Sequence, residues 1–103
     1  MFCLQVHIAH PDYKRPYVSV FVEHFSTQEK AEQRLNQIKL EYINDFDVRN
    51  DNDDLVSLDE FNKMLENGSL SDRIYCEWYI DQEPFYGRIF EVKNQQTEFF
   101  IGY

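Results

Sequence analysis

From Phe2 to His10 the side chains alternate: Phe2, Leu4, Val6 and Ile8 share one side, and Cys3, Gln5, His7 and Ala9 the other. A period of two over this length predicts a half-buried strand. The stretch Pro11-Asp12-Tyr13-Lys14-Arg15-Pro16 breaks it, because proline has no N–H to give a ladder and Asp favours turns. From Tyr17 to Phe25 the alternation resumes, with Val18, Val20 and Val22 on one side and Tyr17, Phe21 and Phe25 on the other. Both sides are apolar, which predicts a central strand covered at least in part on both faces.

The period then changes. Ala31, Leu35, Ile38 and Tyr42 recur at steps of four, three and four, predicting an amphipathic helix from about Thr27 to Ile43. Ser26-Thr27-Gln28-Glu29 has the spacing of a capping box at its start, with Ser26 as the cap. Glu29, Lys30, Glu32, Gln33, Arg34 and Lys39 fall on its other, solvated face. Asn44 to Asp54 has neither period and reads as a loop. Ser57-Leu58-Asp59-Glu60 opens a second, shorter helix with Leu58, Phe61, Met64 and Leu65 on one side. Asn67-Gly68 ends it, since glycine tolerates the left-handed conformation.

Alternation returns from Arg73 to Asp81, where Ile74, Cys76, Trp78 and Ile80 oppose Tyr75, Glu77 and Tyr79. A turn through Gln82-Glu83-Pro84-Phe85 leads to a strand over Tyr86–Lys93, and Asn94-Gln95-Gln96 leads to another over Thr97–Tyr103. Short links between successive strands imply antiparallel hairpins. The expected fold is therefore α+β: an antiparallel sheet of about five strands in the order β-β-α-α-β-β-β, with one long and one short helix packed on one face. A chain of 103 residues fits a single domain over 1–103, large enough to bury roughly 65% of its unfolded surface. Apolar residues make up 43% and aromatics 17%, which excludes a disordered chain.

Charge changes the picture of function. Residues 1–50 carry seven acids against six bases and residues 51–103 carry twelve against four, so −8 of the net −9 lies in the second half. The densest stretch holds Asp45, Asp47, Asp51, Asp53, Asp54, Asp59 and Glu60, opposed only by Arg49. Such a lobe attracts cationic surfaces and repels nucleic acid and anionic membranes. No apolar run approaches about 18 residues, and the N-terminus lacks the basic, apolar and small-residue succession of a signal peptide; both point to a cytoplasmic location. In that reducing setting Cys3 and Cys76 read as free thiols.

Catalytic chemistry finds little to work with. There is no nucleophile elbow, three glycines make no phosphate-cradling loop, and neither cysteine has a histidine near it in sequence. His7, His10 and His24 are strand histidines that would have to converge to make a metal or catalytic centre. The chain is read as a non-enzyme without a cofactor. One metal motif can be aligned: residues Arg49 to Glu60 against an EF-hand loop put Asp51, Asp53, Ser57 and Glu60 on ligand positions. Arg49 then stands where a carboxylate is needed, and Asp54 where glycine makes the sharp turn. An acidic loop entering a serine-capped helix accounts for the same residues. Direct nucleic-acid binding would use sheet tyrosines to stack bases, but no basic stripe accompanies them.

Val22-Glu23-His24-Phe25-Ser26-Thr27-Gln28-Glu29-Lys30-Ala31-Glu32-Gln33-Arg34-Leu35 resembles the strand-to-helix corner of small acidic phage and mobile-element inhibitors, anti-CRISPR proteins among them. Length, acidity and aromatic content are similar too. The resemblance implies an inhibitor of a host defence nuclease or CRISPR complex and assigns no site residue. The residues themselves suggest a decoy. Asp45, Asp47, Asp51, Asp53, Asp54, Asp59 and Glu60 would imitate a phosphate backbone, and Tyr75, Tyr79, Phe85 and Tyr86 would anchor the partner, a protein with a basic surface. The chain would act as monomer or homodimer. The alternatives are an immunity protein against a nuclease toxin and a calcium-binding module.

Overall fold

A computed structural model describes residues 1–10, 17–70 and 84–92. It contains β1 (Phe2–His10), β2 (Tyr17–Phe25), α1 (Gln28–Asp45), α2 (Leu58–Asn67) and β3 (Phe85–Glu91). The class is α+β. The expected sheet of about five strands is corrected: among the described residues the sheet has three strands, in the order β2-β1-β3. The proposed strands Arg73–Asp81 and Thr97–Tyr103 lie outside the described residues.

β1, not β2, is the central strand, antiparallel to both neighbours. Val6 stands opposite Phe21 on one side and Gly87 on the other. The chain leaves β2, passes through both helices and returns to the far edge of β1. Alternation in β2 correctly separates its faces but says nothing of its neighbours. Phe21 and Phe25 pack against the core, while Val20 and Val22 are 53% and 49% exposed on the opposite face. The expectation that β2 is covered on both faces is thus corrected.

α1 lies on the inner face of the sheet. Its stripe Ala31, Ile38, Tyr42 and Ile43 is buried, and Leu35 packs beside it. The cap is Thr27 rather than Ser26: Thr27 is extended at φ −132°, and its hydroxyl accepts from the Lys30 amide at 3.3 Å. The Ser26 hydroxyl accepts from Lys30 Nζ instead. Lys39, expected on the solvated face, reaches across to α2 and donates from Nζ to Asn62 Oδ1 at 2.7 Å. Burial there holds its pKa below the ordinary lysine value.

α2 begins with the full capping box that its sequence spells. The Glu60 amide donates to Ser57 Oγ, and the Ser57 amide donates to Glu60 Oε1. Gly68, at φ +72°, ends it. Only Phe61 of this helix is fully buried, with Met64 and Leu65 at the core margin. The centre of the molecule is aromatic. Tyr42 stacks on Phe46 with ring centroids 4.3 Å apart and meets Phe85 edge-on at 5.2 Å; Phe85 meets Phe61 at 5.5 Å. Side chains of this size each contribute about 1.5–3 kcal/mol when buried. Helix and sheet approach closely at Gly87, where a Cβ would lie 2.7 Å from Leu35 Cδ1.

Candidate functional site

The acidic stretch is a closed hairpin. α1 ends at Phe46, and Asp47 turns the chain in the left-handed region at φ +51°, which aspartate tolerates. Val48 and Val56 are buried and pin both stems to the core; the Val56 amide donates to the Val48 carbonyl at 3.0 Å. Arg49 and Leu55 form an antiparallel bridge, and beyond it the chain turns through residues 50–54.

Asn50 organises that turn. Its Oδ1 accepts from the amides of Asn52 (2.9 Å) and Asp54 (3.1 Å). Its own amide donates to the Asp54 carbonyl, and its carbonyl accepts from the Asp53 amide. Its Nδ2 donates to Glu60 Oε2 at 3.3 Å, tying the hairpin to the start of α2. Asp53 takes the second left-handed position, φ +65°. The lack of a period over Asn44–Asp54 predicts only a loop and does not reveal the part Asn50 plays in it. The available signal was an asparagine followed at two and four residues by polar turn formers, the spacing of an Asx turn.

The seven predicted carboxylates have unequal fates. Asp45, Asp47, Asp51, Asp53, Asp54 and Asp59 are exposed. Asp47 pairs with Arg49, Oδ1 to Nε at 3.0 Å, and Arg49 Nη1 also donates to the Asp53 carbonyl at 2.6 Å. The only cation of the lobe is therefore spent inside it. Glu60 is spent as well, on Ser57 and Asn50. The Ser57 backbone bond, then the Asn50 bond, hold its carboxyl below the ordinary value, and the Ser57 hydroxyl and Lys63 add to this. Both Glu60 oxygens are engaged within the protein, by the Ser57 amide and by Asn50 Nδ2, rather than free to clamp calcium. Among the described residues no group of three or more His, Cys, Asp and Glu is gathered to hold a metal.

The proposed aromatic anchors divide. Tyr86 is 44% exposed on the outer sheet face. Phe85 is corrected: it is 1% exposed, because its position in β3 points it inward onto Tyr42 and Phe61, so it cannot contact a partner. Tyr75 and Tyr79 lie outside the described residues. The three histidines do not converge. His10 points to the helix side, beside Phe46, with Nε2 2.9 Å from Ser19 Oγ. His7 and His24 share the outer face, but His24 stands opposite Cys3, four residues along β1 from His7, about 13 Å away.

At the root of the lobe a cleft of about 430 Å³ opens between α1 and the β1–β2 pair. Ile8, Phe21 and Ile38 supply apolar walls, and Tyr42 and Phe46 an aromatic one. Glu23, Arg34, Glu41, Asp45 and His10 supply the polar lining. Arg34 is held by Glu23 at 3.0 Å and donates to Gln37 at 3.1 Å. Periodicity along the chain does not reveal this cleft, since it joins residues far apart in sequence.

No helix among the described residues is long and apolar enough to cross a membrane. No family model, curated protein or solved structure matches the chain.

Proposed function

We propose that the chain is a small binding protein whose acidic lobe, residues 45–60, occupies the basic surface of a nucleic-acid-handling protein, such as a defence nuclease or its complex, and inhibits it. The observation that carries this reading is the braced hairpin. Asn50 and the Arg49–Leu55 bridge hold the turn in one shape, with Asp51, Asp53 and Asp54 exposed at its tip. A pre-shaped anionic ridge loses little conformational freedom on binding, and its field speeds encounter with a cationic groove.

Affinity capture from the native host tests it. The wild-type chain should retain nucleic-acid-binding proteins that are released by raised salt, and the D51K/D53K/D54K variant should not. Equal retention by both chains removes the lobe from the binding surface.

A further inference from the structure

We propose that Asn67 is a site of spontaneous deamidation: its side-chain carbon is captured by the Gly68 nitrogen, ammonia is lost, and the product undoes the stop of α2.

Asn67-Gly68 is the one Asn-Gly pair in the sequence. The reaction needs the nitrogen that follows the asparagine to reach the side-chain carbon, and a side chain on the following residue hinders that approach. Gly68 has none, and nothing lies within 4 Å of the place where a Cβ would stand. Both residues are exposed, so water and base reach them. The Asn67 carboxamide is also held over the turn. Its Oδ1 accepts from the Ser69 amide at 3.0 Å, a bond that spans Gly68. The same N–H stabilises the negative charge that develops on Oδ1 as the nitrogen attacks. One contact opposes the reaction: the Gly68 N–H donates to the Met64 carbonyl. That bond belongs to the last turn of α2, and helix ends open at little cost.

The atoms balance with water alone. The Gly68 nitrogen gives up its proton and bonds to Asn67 Cγ. The Cγ–Nδ2 bond breaks, and ammonia leaves with that proton. Water then opens the five-membered imide. Opening at Cγ restores the main chain with an aspartate at 67. Opening at the main-chain carbonyl carbon leaves an isoaspartate, whose main chain runs through Cβ and Cγ. Either product places a new carboxylate at the C-terminal end of α2, where the dipole disfavours it. The isoaspartate also lengthens the main chain by one bond, about 1.5 Å. The added bond falls between α2 and Leu70, which is buried in the core. The Gly68 and Ser69 amides both donate to the Met64 carbonyl, and the longer chain breaks that register.

The full chain, folded, is incubated at mildly alkaline pH and digested, and each asparagine is followed by mass spectrometry. Isoaspartate is scored by methyl transfer from an isoaspartyl methyltransferase. Asn67 should gain the mass of an amide-to-acid exchange faster than Asn50 and Asn52, which precede aspartates, and most of its product should accept methyl groups. Asn67→Gln keeps the amide but needs a slower six-membered closure, and should lose the signal. The modified chain, separated by its extra negative charge, should lose protection of the Gly68 and Ser69 amides against hydrogen exchange. A folded chain that stays unmodified at Asn67 overturns the proposal; reaction there in urea alone would show that the bond to Met64 guards the site. Equal rates at Asn67, Asn50 and Asn52, or a modified chain with unchanged protection at Gly68 and Ser69, would also overturn it.

Discussion

Single residues in this protein are legible mainly through the polar atoms they satisfy. Asn50 is a short residue in a run of aspartates, yet its side chain and backbone together engage five polar groups on four residues and join the hairpin to α2. Glu60 is its counterpart. Its carboxyl titrates below the ordinary value of 4.5 in the folded chain, so the unfolded chain takes up the proton first on acidification. The contribution of Glu60 is therefore complete above about pH 4.5 and fades as pH falls through its lowered folded value. An NMR titration of the Glu60 carboxyl should show that depressed midpoint, and Glu60→Gln, which keeps a capping acceptor, should abolish this part of the acid dependence. Tyr42 presents the opposite case. Burial pushes its phenol well above the ordinary value, and its hydroxyl is unpartnered among the described residues. Tyr42→Phe removes an uncompensated polar group while keeping the ring contacts, and should raise stability by about 1 kcal/mol in denaturant unfolding. A loss of similar size would mean that the hydroxyl has a partner after all.

At the scale of elements, the two helices, β1 and β2 follow from their own periodicity, whereas β3 starts at Phe85, a residue expected in the preceding turn. The cap of α1 moves from Ser26 to Thr27 because both residues carry a hydroxyl, and the choice depends on where β2 releases the chain. α2 offers no such ambiguity, since Ser57 and Glu60 are a unique pair at capping-box spacing before Phe61. β3 shows how one residue sets the distance between layers. Gly87 faces Leu35 of α1, and an added Cβ would meet the tip of that flexible side chain at 2.7 Å. Gly87→Ala should therefore destabilise only slightly, with Leu35 changing rotamer. Gly87→Val should cost about 1–3 kcal/mol, the usual range for overpacking. Thermal unfolding of both variants decides it, and equal costs would show that Leu35 cannot yield.

The whole molecule is an α+β layer pair whose acidic charge is concentrated at one structural feature. The lobe sits on two buried valine stems, Val48 and Val56, so it is fixed to the core and yet almost entirely solvated at its tip. A net charge of −9 on 103 residues implies self-repulsion that salt should relieve. Raising ionic strength from about 0.01 M to 0.1 M shortens the Debye length from about 30 Å to 10 Å. The melting temperature should rise over that interval, and D51N/D53N/D54N should rise less. An unchanged melting temperature in the wild type would show that the charges are already compensated.

The chain by itself determined the two helices, the faces of β1 and β2, the α2 capping box, the glycine stop at Gly68 and the place of the acidic stretch. These depend on contacts within a few residues, where spacing maps directly onto backbone geometry. Only the tertiary structure decided that β1 is central, that Phe85 turns inward, that Lys39 bridges the helices, and that Glu41 and Asp45 border a cleft with Ile8 and Phe21. Those outcomes depend on which distant segments meet. Alternation records which way a side chain points along its own strand, and carries no information about what lies opposite.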